Sequence, residues 1–423
     1  MMTMNIETQV LHEGYTPKNG EPRVMPIYQS TTYVYDSTDA VADVFDDPTL
    51  GMIYSRFENP TTDAVEKKIA ALEGGAAAMC TSSGQAASML SILNLCDAGD
   101  HFISSSSIYG GTVNLFAFTF KKMGIECTFV DVDASEEEIK AAIRPNTKCV
   151  FGETIANPAL TVLDIEKWAR AAHSAGIPLI VDNTFATPIL CRPIEWGADI
   201  VVHSTSKYMD GHAVQVGGVI VDSGKFDWTK SGRFPGLTEP DESYHGIVYT
   251  EKYPVPYITK ARMQLMRDFG CYPAANSSFL LNLGLETLAV RMPRYCENGL
   301  KVAKYIEGTG KIKSIKYAGL ESDKHHKLAE KYLPDGCCGV ISFSVGTRER
   351  AVKFMDALKL ASNEVHVADI RTCVLNPASA THRQLTDEQL VAAGIDPGLI
   401  RLSVGLENVD DIIADLEQAF AQI

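Results

Sequence analysis

The chain is 423 residues long, and its 38 basic and 53 acidic side chains give a formal net charge of −15 at pH 7. A surface this acidic repels phosphate backbones and anionic lipid headgroups, so nucleic-acid binding is not expected. With 45% hydrophobic and 22% charged residues the composition is that of a folded globular protein, and the length predicts two domains.

Three further features are not indicated by the sequence. No apolar run approaches the roughly 20 residues that a membrane helix needs, so no membrane association is expected. The opening stretch MMTMNIETQVLHEGY lacks the basic and apolar regions of a signal peptide, which predicts a cytoplasmic protein. The ten cysteines are scattered without CxxC spacing and no HExxH motif occurs, so no metal site is predicted.

Residues 1–60 alternate polar and turn-forming residues and show little helical periodicity before the stretch DSTDAVADVFDD. They are predicted to form an extended arm without a core of its own. Such an arm must lie on another surface, and a neighbouring subunit is the expected one. Near the end of the arm, Tyr54 and Arg56 precede an Asn-Pro turn that leads into a predicted helix.

The next predicted strand, within AAAMCTSS, ends in a turn of small residues, and a helix is predicted to begin there. The turn and the first helical residues are Ser83, Gly84 and Gln85. Free backbone N–H groups and the positive end of the helix dipole at such a point attract a phosphate group. These three residues are therefore predicted to bind phosphate.

From here strand-like and helix-like segments alternate, with strands predicted at 101–106, 125–132, 148–154 and 178–182. This order predicts an α/β fold with a large, doubly wound, mainly parallel sheet over residues 61–270. Tyr109 and Asn157 each fall just past a predicted strand end, where open α/β sheets bind ligands.

The apolar stretch before Lys207 predicts a buried strand that ends in small hydroxyl residues. Ser204 and Ser206 lie just before the lysine and offer hydroxyl groups to a phosphate. The preceding predicted strand ends in Asp182. A lysine and an aspartate at neighbouring strand ends suit pyridoxal phosphate, which needs a lysine for covalent attachment and an anion beside its protonated ring nitrogen.

After the strand at 218–222 the pattern breaks at an irregular stretch rich in Pro, Gly and charge, and a helical region follows from about 258 to 291. An irregular segment of this length is usually functional, so it is predicted to serve the active site or a subunit interface. Residues 271–423 are predicted to form a smaller α+β domain. Arg401 opens a glycine-containing strand in this domain.

Four motifs resemble the Cys/Met-metabolism family of pyridoxal-phosphate enzymes: YSRFENPT at 54–61, VDNTFATP at 181–188, HSTSKYMDGH at 203–212 and RLSVGLE at 401–407. The resemblance covers nearly the whole chain. It implies the architecture called fold type I, in which Lys207 carries pyridoxal 5'-phosphate and acts as the base, and Asp182 pairs with the ring nitrogen.

The resemblance also implies roles for single residues. Tyr54 and Arg56 would reach the cofactor phosphate of a neighbouring subunit, so a homo-oligomer, typically a dimer of dimers, is expected. Tyr109 would stack on the cofactor ring and assist the chemistry, and Asn157 would bind the cofactor's phenolate oxygen and lie beside the substrate. Arg401 would bind the substrate α-carboxylate, which a guanidinium group can hold bidentately.

Within the family, the stretch RFPGLTEPDESYHGIVYTEKY at 233–253 resembles the O-acetylhomoserine sulfhydrylase branch. That branch replaces the γ-acetoxy group of O-acetyl-L-homoserine with sulfide or a thiol, giving homocysteine or methionine and acetate. The chief alternative is a methionine γ-lyase or cystathionine-type lyase, which forms 2-oxobutyrate and ammonia. Methionine-type lyases carry a cysteine two residues after the stacking tyrosine, where this chain has Gly111, so replacement is favoured.

Two further observations bear on the activity. A noncatalytic relative that only binds ligands is disfavoured, because both Lys207 and Asp182 are present. Where many relatives have Ser-Leu-Gly-Asp or Asn-Val-Gly-Asp near the substrate carboxylate, this chain has His366-Val-Ala-Asp369. His366 is therefore predicted to face the substrate.

Overall fold

The structure, a computed structural model, describes residues 4–47, 50–378 and 396–423. Its centre is a seven-stranded sheet in the order β1-β7-β6-β5-β4-β2-β3. The strands are β1 Ala77–Thr81, β2 His101–Ser105, β3 Glu126–Val130, β4 Thr147–Glu153, β5 Leu179–Asp182, β6 Ile200–Ser204 and β7 Gly218–Asp222. β7 is antiparallel to both neighbours and the other adjacent pairs are parallel. The predicted mainly parallel sheet is confirmed.

Both faces of this sheet are covered. In β5, the consecutive residues Leu179, Ile180 and Val181 are all fully buried. Since successive side chains of a strand point to opposite faces, burial of every residue requires a layer on each side. The helices Pro60–Glu73, Gly84–Leu93 and Ile165–Ser174 pack against the sheet and supply part of these layers.

Helical segments are the commonest regular elements in the rest of the described chain. The α-helices are Ile6–His12, Thr38–Asp46, Pro60–Glu73, Gly84–Leu93, Gly110–Asn114, Phe120–Lys122, Glu136–Ala141, Ile165–Ser174, Thr187–Leu190, Pro235–Thr238, Tyr249–Lys252, Pro256–Lys260, Arg267–Phe269, Ala275–Glu286, Leu288–Gly308, His326–Tyr332, Arg348–Ala357 and Val409–Phe420. Leu115–Thr119 and Ala261–Met266 are π-helical, and Pro193–Trp196 and Glu242–Tyr244 form 3₁₀ turns. Within the described ranges, no helix is both long and apolar enough to cross a membrane.

A second, smaller sheet lies in the C-terminal part of the chain, in the order β10-β11-β12-β9-β8. Its strands are β8 Ser314–Lys316, β9 Val340–Ser344, β10 Ser362–Asn363, β11 Cys373–Leu375 and β12 Leu399–Ser403. Only the β10–β11 pair is parallel. A smaller α+β part was predicted and is present, while the exact boundary at residue 270 stays a prediction.

The N-terminal segment differs from the sequence-based expectation in one respect. Residues Ile6–His12 form a helix, although no helical pattern was predicted before residue 36. This helix packs against the helices Pro60–Glu73 and Leu288–Gly308 of its own chain, and Val10 is buried there. A seven-residue helix has too few apolar positions to show a periodicity, so its partner surface decides its conformation. That the rest of residues 1–60 lies on a neighbouring subunit stays a prediction.

Candidate active site

The carboxyl ends of β2, β4, β5 and β6 open into a cavity of about 750 Å³. This is the edge at which parallel sheets bind ligands. Eleven of the predicted site residues line it: Ser83, Gly84, Gln85, Tyr109, Asn157, Asp182, Ser204, Ser206, Lys207, His366 and Arg401. They come from both sheets and from segments that are more than 300 residues apart in the chain.

Lys207 follows β6 and carries its amine into this cavity. Burial lowers the pKa of the amine to about 8, and the positive charge of Arg401 acts in the same direction. In the described part of the chain, one side chain lies within hydrogen-bond distance of Nζ, namely His366, whose Nδ1 is 3.4 Å away. Near neutral pH the Lys207 amine is therefore unprotonated, and so nucleophilic and basic, in a larger fraction of molecules than an ordinary lysine.

Asp182 ends the neighbouring strand β5, and its half-buried carboxylate forms no ion pair with a described residue. Its Oδ1 accepts hydrogen bonds from the backbone N–H and the hydroxyl of Thr184, the former at 3.0 Å. Burial raises the pKa of Asp182, while Thr184 and His203 lower it. Oδ2 has no hydrogen-bond partner among the described residues. A protonated ring nitrogen placed against Oδ2 would complete this site.

The start of the helix Gly84–Leu93 forms the third corner of the cavity. Ser83 caps the helix, its hydroxyl accepting from the backbone N–H of Ala86 at 3.0 Å. A Cβ added at Gly84 would lie 2.5 Å from Cβ of Ser204, so only glycine lets the helix start beside β6. The first backbone N–H groups of a helix have no intrahelical partners, and they point here at a space large enough for a phosphate.

The sequence predicts that Gln85 and Ser206 bind phosphate, but in the structure their side chains form hydrogen bonds with loop backbone. Nε2 of Gln85 donates to the carbonyl oxygen of Gly111 at 3.1 Å. The hydroxyl of Ser206 accepts from the backbone N–H of Gly217 at 2.9 Å and lies 3.3 Å from its carbonyl oxygen. Both side chains therefore hold loops around the cavity, while still lining it.

Tyr109 lies at the cavity wall with 48% of its surface exposed. Its backbone N–H donates to Oε2 of Glu153 at 2.7 Å. Glu153 is 4% exposed, and burial together with the nearby Asp182 raises its pKa well above the usual range. A buried carboxyl group thus fixes the turn that carries Tyr109, while the ring itself stays free to meet a ligand.

Arg401 lies in β12 of the smaller sheet and reaches into the same cavity. Nη1 donates to Oδ1 of Asn157 at 3.2 Å, and Nη2 donates to the carbonyl oxygens of Val365 and His366 at 3.0 Å each. The residue is 7% exposed, and burial lowers its pKa. No carboxylate of the described residues forms an ion pair with it. A buried guanidinium in this state calls for an anionic ligand.

Two predicted residues lie elsewhere. Tyr54 and Arg56 are not among the described residues that line this chain's cavity. Arg56 stacks over the ring of Tyr54, with 5.3 Å between Cζ and the ring centroid, and donates to the carbonyl oxygen of Arg267. Their predicted contact with a cofactor phosphate therefore requires a second subunit.

The irregular stretch 226–246, which overlaps the branch-specific stretch 233–253, also stays away from the cavity. Nη1 of Arg233 donates to the carbonyl oxygen of Thr147 at 3.0 Å, at the amino end of β4, opposite the end that carries Glu153. Further along, Tyr244 lies under the guanidinium of Arg267, 5.0 Å from Cζ to the ring centroid. This stretch was predicted to serve the active site or a subunit interface. It does not line the cavity of its own chain, and the interface stays a prediction.

One contributor was missed by the sequence analysis. Thr184 supports Asp182 with two hydrogen bonds and accepts one from the backbone N–H of Ser204 at 2.9 Å, so it couples the two strand ends. The signal was present in the Asp-Asn-Thr order, since a threonine two residues after an aspartate commonly forms this local turn. Across residues 4–47, 50–378 and 396–423, no cluster of His, Cys, Asp and Glu is arranged to hold a metal ion.

The donor set fits pyridoxal phosphate at three points. The lysine amine would attach the aldehyde carbon, the aspartate oxygen without a hydrogen-bond partner among the described residues would pair with the ring nitrogen, and the helix start beside Ser204 would receive the phosphate. Asp182 and Lys207 lie at the ends of the neighbouring strands β5 and β6, and the helix start lies beside Ser204 at the end of β6, so all three groups surround one cavity.

Comparison with known proteins agrees with this fit. The family model of "Cys/Met metabolism PLP-dependent enzyme" matches residues 7–421. O-acetyl-L-homoserine sulfhydrylase of Leptospira meyeri is 43% identical over 99% of this chain and 97% of its own length. Homocysteine synthase of Schizosaccharomyces pombe is 47% identical over 98% of each chain.

A solved structure extends the comparison to the fold. The crystal structure of a Campylobacter jejuni O-acetylhomoserine (thiol)-lyase, with N'-pyridoxyl-lysine-5'-monophosphate at its position 205, superposes with a TM-score of 0.95. The two chains are 38% identical, and the match covers 99% of this chain and 100% of the other. The predicted fold type I architecture and the predicted cofactor are thereby confirmed. This chain belongs to the Cys/Met-metabolism family of pyridoxal-phosphate-dependent enzymes.

Proposed function

We propose that this enzyme replaces the γ-acetoxy group of O-acetyl-L-homoserine with sulfide or a small thiol, giving homocysteine or methionine and acetate. The names of its relatives support the reaction type. The main support for an amino-acid substrate is Arg401 in the cavity. Its guanidinium is buried and has no carboxylate partner in the described chain, so it suits a substrate carboxylate. It lies beside Lys207, whose pKa its charge helps to lower.

The residues that hold the cofactor follow from the cavity. Lys207 would attach it, Asp182 would pair with its ring nitrogen, and the helix start at Ser83 and Gly84 would receive its phosphate. When bound, pyridoxal phosphate supplies an electron sink that stabilises negative charge developing on substrate carbons. Asp182 keeps that sink effective, because its negative charge holds the proton on the facing nitrogen.

The substrate is held and deprotonated by the chain's own groups. Arg401 binds the α-carboxylate, and Asn157, which accepts a hydrogen bond from Nη1, fixes the plane of the guanidinium. When the substrate is bound, Nζ of Lys207 is the group that would remove the proton from its Cα. Its pKa of about 8 suits it to accept and return protons near neutral pH. Tyr109 covers the open side of the site and limits access of water.

Elimination to 2-oxobutyrate and ammonia is the second candidate function, and the structure offers an argument against it. A Cβ added at Gly111 would lie 2.5 Å from Cε1 of Tyr109. The cysteine found here in methionine-type lyases therefore cannot be present without moving the tyrosine ring. The position of Tyr109 in this chain depends on the glycine, which favours replacement.

The product ratio tests the proposal. The loaded enzyme is incubated with O-acetylhomoserine with and without sulfide, and homocysteine and 2-oxobutyrate are both quantified. We expect homocysteine to exceed 2-oxobutyrate when sulfide is present. Dominant 2-oxobutyrate in the presence of sulfide, or cleavage of methionine as fast as consumption of the ester, would show that the lyase alternative is correct.

We also propose that the active unit is a homo-oligomer in which Tyr54 and Arg56 complete the phosphate site of a neighbouring subunit. The support is that both lie outside this chain's cavity, in a segment tied to the stretch 233–253 through Arg267 and Tyr244. Mixing an inactive Arg56→Ala protein with an inactive Lys207→Ala protein should restore activity through hybrid sites. A fully active monomer in sedimentation would contradict the proposal.

The proposed compartment is a reducing one such as the cytoplasm. The support comes from the cysteines: all ten carry free thiols, and eight of them are buried. Buried free thiols are typical of proteins kept reduced. Localisation of a tagged full-length chain by fractionation tests this, and recovery outside the reducing compartment would contradict it.

A further inference from the structure

The π-helical segment Ala261–Met266 continues directly into the helix Arg267–Phe269. Together they form one helical region, which contacts both the sulfhydrylase-like stretch 233–253 and the arm that carries Arg56. π-Helical turns are rare and frequently occur at functional sites. Through this region, the position of the stretch can fix the position of the arm.

Tyr244, in the sulfhydrylase-like stretch, makes two contacts with the helical region. Its hydroxyl donates to the carbonyl oxygen of Met263 at 2.7 Å. Its ring lies under the guanidinium of Arg267, with 5.0 Å between Cζ and the ring centroid, a distance at which a cation is attracted to an aromatic face. The tyrosine therefore holds the helical region at two successive turns.

Asp241 keeps the turn that carries Tyr244 in one shape. Its Oδ1 accepts from the backbone N–H of Ser243 at 2.8 Å, and its Oδ2 accepts from the hydroxyl of Tyr249 at 2.9 Å. Nε2 of Gln264 adds a donor from the helical region. Hydrogen bonds to an ionised group are stronger than those between neutral groups. The turn is thus held both to its own stretch and to the helical region.

The same helical region holds the arm. Nη1 of Arg56 donates to the carbonyl oxygen of Arg267. Nη1 of Arg262 donates to the carbonyl oxygen of Phe57 at 2.8 Å, and Nη2 of Arg262 is anchored 2.6 Å from Oε2 of Glu66. A shift of the helical region would therefore move the acceptor on which Arg56 depends.

The guanidinium of Arg56 is oriented but keeps unused donors. Its Cζ lies 5.3 Å from the ring centroid of Tyr54 and 5.0 Å from that of Phe57. A Cβ added at Gly270 would lie 3.8 Å from Cδ of Arg56, so the end of the helical region runs along the arginine stem. Only Nη1 has an acceptor among the described residues, so Nε and Nη2 are available to an anion such as phosphate.

Resting on the proposed function, we propose that the sulfhydrylase-like stretch positions Arg56 for the cofactor phosphate of the neighbouring subunit. Asp241 and Tyr244 hold the helical region, and the carbonyl oxygen of Arg267 transmits that constraint to the guanidinium. Both are positioning residues, since neither lines the cavity. The stretch then serves the cofactor of another subunit, although it lies away from the cavity of its own chain.

Cofactor binding tests the link between Tyr244 and Arg56. Pyridoxal phosphate is titrated into each apoprotein, and the dissociation constant is measured by absorbance. Tyr244→Phe keeps the ring and loses the bond to Met263, so it should weaken binding by about 3–10-fold, the effect of one hydrogen bond. In the Arg56→Ala background the same change should alter the constant by less than about twofold, because no guanidinium remains to be positioned. Equal effects in both backgrounds, or no effect in either, would overturn the proposal.

Two further variants separate positioning from a general effect on folding. Tyr253→Phe is the matched control, because its hydroxyl lies in the same stretch and has no hydrogen-bond partner in the described part of the chain. It should keep the wild-type dissociation constant. Asp241→Asn removes the charge that accepts from Gln264 and should weaken cofactor binding as Tyr244→Phe does. A wild-type constant in Asp241→Asn, or an equal loss in Tyr253→Phe, would contradict the role of the turn.

Hybrid oligomers test which subunit is affected. In a mixture of Lys207→Ala and Arg56→Ala proteins, the restored site combines the lysine of one protein with the arginine of the other. Tyr244→Phe placed in the Lys207→Ala protein, which supplies the arginine, should raise the cofactor concentration needed for half of the restored activity by about 3–10-fold; placed in the Arg56→Ala protein, it should have no effect. Equal effects or the opposite pattern would overturn the proposal. If the mixtures restore no activity while the dissociation constants change as expected, the proposed sharing of sites fails and the link between Tyr244 and Arg56 stands.

Discussion

Gly111 gives the sharpest test of how the cavity is built. An added Cβ at this position would lie 2.5 Å from Cε1, 3.0 Å from Cζ and 3.2 Å from Cδ1 of Tyr109, whereas ordinary contacts begin at 3.4 Å. In Gly111→Ala the ring edge must therefore move by about 1 Å. A misplacement of this size lowers the rate of a positioned reaction by about 100-fold.

The same substitution should leave the fold intact. The Tyr109 ring is half exposed and can turn toward solvent, and alanine is favoured over glycine in the helix Gly110–Asn114. We therefore expect the thermal unfolding midpoint of Gly111→Ala to be unchanged or slightly raised.

The matched control is Gly110→Ala, in the same helix, where an added Cβ meets nothing within 4 Å. The assay is kcat and KM with O-acetylhomoserine and sulfide, together with the absorbance of the bound cofactor. Equal activities in the two alanine variants, or more than about a third of wild-type activity in Gly111→Ala, would refute the reasoning.

Three further predictions follow from single contacts. Arg401→Lys keeps the charge but loses one of the two hydrogen bonds of a bidentate carboxylate contact, worth about 1.5–3 kcal/mol, so kcat/KM should fall by about 10–100-fold; a loss below about threefold would place the carboxylate elsewhere. Glu73→Ala leaves the fully buried His203 without its hydrogen-bond partner at 2.6 Å and should lower the free energy of unfolding by about 1–3 kcal/mol in denaturant titration, whereas an unchanged free energy would contradict this. Because the pKa of Lys207 is lowered to about 8, attachment of pyridoxal phosphate to the apoprotein should rise with a midpoint near pH 8, and a midpoint near 10 would show a solvated amine.

The parts of the fold that could be predicted from the sequence are those with a strong local pattern. β5 and β6 are continuous apolar runs that end in polar residues, so their burial and the placement of Asp182 and Lys207 at one sheet edge follow from the sequence alone. The glycine at position 84 likewise marks the start of a helix beside a strand. The family motifs then identified the cofactor, which the comparisons confirm.

The parts that could not be predicted depend on contacts between distant segments. His366 and Lys207 are 159 residues apart, and no local pattern states that the smaller sheet delivers an imidazole to the lysine. The sequence also cannot predict that Arg401 has no carboxylate partner among the described residues, because this depends on which carboxylates the fold brings near it. The irregular stretch 226–246 was predicted to serve the active site or an interface, and contacts of its Arg233 such as that with Thr147, which no local pattern states, place it at the far end of the sheet.

The central claim is that Lys207 carries the cofactor at the edge formed by β5 and β6, and peptide mapping tests it most directly. The loaded enzyme is reduced with borohydride, which makes the bond between lysine and cofactor permanent, then digested and analysed by mass spectrometry. Lys68 and Lys260 serve as internal comparisons, because burial lowers the pKa of both amines as well. The account predicts the pyridoxyl group on the peptide that contains Lys207; its appearance on Lys68, Lys260 or any other lysine would contradict the account.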